Sequence, residues 1–131
     1  MSVAFVLGNG LSRKPIPLEP LKQHGKVYAC NAVYRTFTPD YLVAVDAKMI
    51  NEICTADAHR KMPVWTNPNR AYKKWNGLNF FEPSLGWSSG PTALYLATQK
   101  EHQLIYILGF DFIGNADGKL NNIYGDTPNY K

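Results

Sequence analysis

The segment Gly8-Asn9-Gly10-Leu11-Ser12-Arg13 follows the apolar run 3–7. A glycine-rich turn at the end of a strand exposes backbone N–H groups with little side chain in the way, an arrangement suited to a phosphate. Further polar residues fall where later apolar runs end: Asn31 after 26–30, Asp46 after 41–45 and Asp111 just beyond 104–108. Ser88-Ser89-Gly90-Pro91 opens a helical pattern, with a serine or glycine available to cap the first amides and a proline early in the first turn, where its missing donor is not needed. The amides of Gly10 and the positive end of the helix near Gly90 are expected to hold phosphate, and the Asn9 and Asn31 side chains to offer donors and acceptors to a sugar and a base. Neither a metal nor a cofactor is expected for that arrangement.

These residues need a frame. The runs 3–7, 26–30, 41–45, 63–65, 78–81 and 104–108 are apolar almost throughout rather than alternating. That is the pattern of strands covered on both faces, and so of a parallel sheet between helices. Helical spacing marks a short segment around Leu18 and Leu21, the segment 47–56 with Met49, Ile50 and Ile53, and the segment 92–102 with Leu94, Ala97 and Thr98 on one face. The region 57–88, rich in proline and aromatic residues, is expected to form short strands and irregular loops, and the stretch after Gly109 to be loop-like. The predicted fold is α/β, a three-layer Rossmann-like sandwich with a mainly parallel sheet of about five or six strands, spanning 1–131 as one nucleotide-binding domain. In such sheets ligands bind at the carboxyl ends of the strands, the edge to which Asn9, Asn31, Asp46 and Asp111 are assigned.

Composition narrows the function. With 131 residues, 45% hydrophobic and 18% charged, the chain can close a core. The net charge of +4 is mild. Its densest cluster, Arg70, Lys73 and Lys74 among Trp65, Tyr72 and Trp75, reads as a solvated face, so nucleic acid is not an expected partner. Cys30 and Cys54 lack metal-ligand spacing and are expected as buried thiols of a cytoplasmic protein. No apolar run is long enough to span a membrane. The dinucleotide fingerprint is broken, because Arg13 stands where its third glycine belongs, with a side chain that would block close helix–strand packing, and Asn31 where an acid would hold a ribose.

The order Gly8-Asn9-Gly10-x-Ser12, Ala29-Cys30-Asn31-Ala32-Val33-Tyr34, Ser88-Ser89-Gly90 and Ile105-Tyr106-Ile107-Leu108-Gly109-Phe110-Asp111-Phe112 resembles the bacterial lipooligosaccharide sialyltransferases of glycosyltransferase family 42, in the form of a short or truncated relative. The resemblance implies that Asn9, Gly10, Asn31, Ser89 and Gly90 contact a cytidine nucleotide, with Ser12, Ser88 and Asp111 beside them. Family members carry tyrosines shortly after the Asp-Phe pair that help the phosphate leave. Here the adjacent residue is Ile113, and Tyr124 is the matching candidate. The family's general-base histidine lies downstream of the sequence, and His24, His59 and His102 read as ordinary surface or helix-end residues. The expected function is binding of a nucleotide or a nucleotide sugar like CMP-sialic acid, without glycosyl transfer by the isolated chain and with homo-oligomerisation possible. Catalytic residues are left unassigned. Two alternatives stand beside it: a Mg²⁺-dependent enzyme similar to the pterin diphosphokinases, with Asp46 or Asp111 holding the ion, and a non-catalytic protein-interaction module.

Overall fold

The computed structural model describes residues 2–112 and 121–130. Six strands form one sheet: β1 (Val3–Leu7), β2 (Lys26–Cys30), β3 (Tyr41–Val43), β4 (Val64–Thr66), β5 (Asn79–Phe80) and β6 (Leu104–Leu108). Every neighbouring pair is parallel, in the order β5-β4-β3-β2-β1-β6. Successive strands step away from β1 in one direction as far as β5, and the chain then crosses back to set β6 on the other side of β1. Winding therefore reverses at β1, and in a doubly wound sheet that reversal opens a crevice at the carboxyl edge.

The apolar runs of the central strands form strands because their side chains find covered faces, whereas the edge strand β6 departs from the expected double coverage, with Leu104, Tyr106 and Ile107 exposed. Phe5, Leu7, Val27, Ala29, Leu42 and Val64 pack on one side with Met49, Ile50 and Ile53 of helix α1 (Ala47–Thr55). Ala4, Val6, Tyr28 and Val43 pack on the other with Ala93, Leu96 and Ala97 of helix α2 (Ser89–Gln99). The result is an α/β Rossmann-like fold. Its first face carries short 3-10 segments where fuller helices would otherwise stand: Leu11–Arg13, Glu19–Gln23 around the predicted Leu18 and Leu21, Asn31–Arg35, Ala58–Arg60 and Arg70–Tyr72.

Asp46 accepts the Lys48 amide at 3.1 Å and caps α1, a contact of the kind that contributes about 1 kcal/mol. Helix α2 begins three residues earlier than the spacing predicts and ends at Gln99 rather than 102. The Ser88 carbonyl accepts both the amide and the hydroxyl of Thr92, at 3.2 and 2.7 Å, which starts the helix at Ser89. The buried face is accordingly Ser89, Thr92, Ala93, Leu96 and Ala97, while Leu94 is half-buried and Thr98 exposed.

At the amino edge of the sheet, the buried Tyr28 hydroxyl meets His102 Nε2 at 2.6 Å and Ser2 Oγ meets His102 Nδ1 at 2.9 Å. His102 thus joins the start of β6 to β2 and to the residue before β1. Among the described residues, no helix is long and apolar enough to cross a membrane.

Candidate functional site at the carboxyl edge

The loop after β1 is built for close packing against the loop after β6. Gly8 N donates to Leu108 O at 2.7 Å and Gly10 N to Gly109 O at 2.8 Å. A Cβ on Gly8 would lie 2.6 Å from Gly109 O, and one on Gly10 would lie 2.5 Å from the Asp111 carboxyl. The glycines are needed because two backbones touch here. The Gly10 amide expected to hold a phosphate is already donated inside the protein.

The next amides are also engaged. Leu11 N donates to Asn121 Oδ1 at 2.8 Å, and Ser12 N to Asp111 Oδ2 at 3.1 Å. Ser12 Oγ donates to the other Asp111 oxygen. Those Ser12 contacts, the hydroxyl first and then the amide, hold the Asp111 carboxyl below its ordinary range. A carboxylate therefore occupies the turn where the sequence suggested a phosphate.

Asn9 and Arg13 form a latch between strands. Asn9 Nδ2 donates to Cys30 O at 3.0 Å, while its Oδ1 accepts from Arg13 Nη2 at 2.9 Å. Arg13 Nε donates to Gly8 O at 2.8 Å. Rather than obstructing the packing, Arg13 is 4% exposed and holds the turn from beneath. Among the described residues it meets no carboxylate. Its charge acts on Cys30, whose thiol burial pushes up to about 12 against the lowering pull of the guanidinium.

Asn31 differs from Asn9. It stands at the carboxyl end of β2 with φ +56, in the left-handed region, and its Oδ1 is buried without a hydrogen-bond partner among the described residues. Asparagine adopts the left-handed region more readily than most residues, so what sets this position apart is the unsatisfied acceptor, which an ordered water or a ligand would complete. Across the same edge, Ser89 Oγ accepts the Val45 amide at 3.0 Å and moors the start of α2 beyond β3. The amides of Ser89 and Gly90 belong to the first turn, where no intrahelical acceptor exists.

The Phe110 ring joins the two halves of the site. A Cβ on Gly8 would lie 2.8 Å from its Cδ1, and one on Gly90 would lie 3.3 Å from its Cε2. The glycine turn and the start of α2 thus flank one aromatic ring. Phe112, 6.1 Å from Phe110 between ring centroids, is 86% exposed.

The 121–130 segment closes over this edge on the α1 side. Ile123 N donates to Asn9 O at 2.8 Å. Arg35 donates to Thr127 Oγ1 and Pro128 O, both at 2.9 Å, and pairs with Glu52 at 2.6 Å. Its guanidinium also lies 5.9 Å from the ring centroids of both Tyr124 and Tyr130. The Arg35 hydrogen bonds hold the Glu52 carboxyl below its usual range despite partial burial. Tyr124 is therefore held against Arg35, in the segment that is bonded to the Asn9 loop.

Of the sequence candidates, Gly8, Asn9, Gly10, Ser12, Asp111 and Tyr124 are joined in one network, and Ser89 and Gly90 meet it through Phe110. Ser88 contributes its carbonyl to the start of α2, but its side chain makes no capping bond. Asp46 serves as a cap, and Ile113 lies outside the described residues. Arg35 and Phe110 are not among the sequence candidates, and Arg13 enters the sequence reading only as an obstruction to packing, not as a residue of the site. Phe110 had a signal in its place between two motif residues, whereas the Arg35–Glu52 pair spans 17 residues and left no local trace. His59, expected as an ordinary surface or helix-end residue, lies in the 3-10 segment Ala58–Arg60 and is buried against Trp75 with a ring separation of 6.2 Å. The chain matches no family model, no curated protein and no solved structure.

Proposed function

We propose that the protein binds a nucleotide or nucleotide sugar of the CMP-sialic acid type at the carboxyl edge of its sheet, between Asn31 and the amino end of α2. The observation that carries this reading is Asn31, whose buried Oδ1 lacks a donor among the described residues and whose backbone is held at φ +56. An amide oxygen in that state suits the amino group of a cytosine or a sugar hydroxyl. In a doubly wound sheet ligands bind at the carboxyl edge, where Asn31 stands. The phosphate is assigned to the first-turn amides of α2 at Ser89 and Gly90, because the Gly10 and Ser12 amides already have partners. The buried charge of Arg13 adds a positive potential under the same edge.

The reading covers binding and assigns no catalytic base. A thermal-shift panel of CMP, CDP, UDP, ATP with Mg²⁺, and a pterin tests it. CMP is expected to raise the melting temperature selectively, since a ligand at about 100 times its Kd adds about 2.7 kcal/mol to the folded state. Asn31→Ala is expected to weaken CMP by about 1–3 kcal/mol while leaving the fold in place. An equal response to every compound, or an unchanged CMP response in Asn31→Ala, would sink the assignment. A response confined to ATP with Mg²⁺ would favour a kinase-like activity instead.

A further inference from the structure

A second feature lies at the β5 end of the sheet, independent of the nucleotide reading. Arg60, Lys61, Arg70, Lys73 and Lys74 fall within residues 58–81, and no Asp or Glu does. This stretch carries +5, so the remainder of the chain, with nine cations and ten carboxylates, carries −1. Most of the net positive charge lies in this stretch, which still carries +3 when its flanking Asp57 and Glu82 are included. All five cations are exposed, and among the described residues only Arg60 meets a carboxylate, Asp57 at 3.8 Å.

The same end holds a groove of about 470 Å³, lined by Arg70 and Lys73 together with Tyr72, Trp75 and Phe80. Tyr72 is buried and forms part of the core, Trp75 is half-buried against it, and Phe80 is 40% exposed. Lys74 Nζ lies 5.3 Å from the Trp75 ring centroid. His59, neighbour in sequence to Arg60 and Lys61, also meets Trp75, with ring centroids 6.2 Å apart. Rings and cations are thus contiguous from the 3-10 segment Ala58–Arg60 to β5.

We propose that this groove binds single-stranded nucleic acid, with bases stacked on Trp75 and Phe80 and phosphates held by Arg70, Lys73 and the flanking cations. The breadth of the charge decides for a polyanion, because one small anion needs one or two cations rather than five spread across an end. Accessible rings within the groove decide for bases, because every base has a flat face that stacks without regard to sequence. The expectation of a solvated face with partly buried rings accounts for the cations and for the half-buried Trp75, while Phe80, 40% exposed in the same groove, lies outside it.

Fluorescence anisotropy of a labelled twelve-residue oligothymidylate tests the proposal, with a sulfated oligosaccharide of matched charge as the polyanion without bases. Saturable binding is expected at low salt, falling as salt rises with a log–log slope of about −0.7 per phosphate contact. Phe80→Ala removes a surface ring without opening the core and is expected to weaken the oligonucleotide roughly five- to 150-fold, leaving the oligosaccharide unchanged. The double variant Arg70→Glu, Lys73→Glu, altered only at exposed positions, is expected to abolish both. Absence of binding at low salt would overturn the proposal. So would equal affinity for the two polyanions with no effect of Phe80→Ala, which would mean that the patch reads charge alone.

Discussion

Gly109→Ala is expected to destabilise the fold by about 2–5 kcal/mol, the sum of a left-handed backbone penalty and a forced contact. Gly109 has φ +76, and an added Cβ would lie 2.6 Å from Gly8 O and 3.1 Å from Arg13 Cβ. Neither neighbour can retreat easily. The Gly8 carbonyl is held by Arg13 Nε at 2.8 Å, and the two loops are pinned together by the amides of Gly8 and Gly10. For a domain whose whole stability is about 5–15 kcal/mol, the loss is large. Gly86→Ala is the control, since a Cβ there meets nothing within 4 Å and is expected to stay within about 0.5 kcal/mol of the parent. Urea unfolding followed by tryptophan fluorescence measures both. Parity between the two variants would show that the loops after β1 and β6 are not clamped as described.

Arg13→Ala is expected to cost about 2–4 kcal/mol, because it removes charged donors and strands two buried acceptors, Gly8 O and Asn9 Oδ1. Lysine at this position separates charge from geometry. It keeps the positive charge but offers a single point on a flexible stem, which cannot serve both oxygens as the guanidinium fork does. Arg13→Lys is therefore expected to recover less than half of the loss in the same unfolding experiment. Full recovery would make Arg13 a source of charge rather than a latch, and the positions of Asn9 and Gly8 would need another cause.

Much of the frame could be read before the structure because an all-parallel sheet writes itself as runs apolar on both faces. Lys26–Cys30 matches its predicted bounds for that reason, while Leu104–Leu108 matches its bounds although it lies at the sheet edge with Leu104, Tyr106 and Ile107 exposed. The start of α2 is legible in Ser88-Ser89-Gly90-Pro91, since Ser88 is the N-cap and Pro91 lies in the first turn, but its buried face is less so: of Leu94, Ala97 and Thr98 only Ala97 is fully buried, beside Ala93 and Leu96. The site was legible at the level of which residues end strands, since Asn9, Asn31 and Asp111 do gather at the carboxyl edge. What each of them does there was not legible. Whether an amide faces a ligand or a neighbouring loop depends on how closely β1 and β6 approach, and that distance is a tertiary quantity. Asn9 and Asn31 are the same residue type at equivalent positions, yet one is bonded at both ends and the other carries a buried unpartnered oxygen.

That difference makes Asn31 the place to ask whether the edge binds a nucleotide. The direct measurement is a CMP titration of the ¹⁵N-labelled protein followed by amide chemical shifts. Saturable shifts at Asn31, Ser89, Gly90 and Phe110, lost in Asn31→Ala, are the predicted result. Shifts confined to the Arg70–Phe80 groove, or no shift at millimolar CMP, would contradict the assignment of a nucleotide to the carboxyl edge.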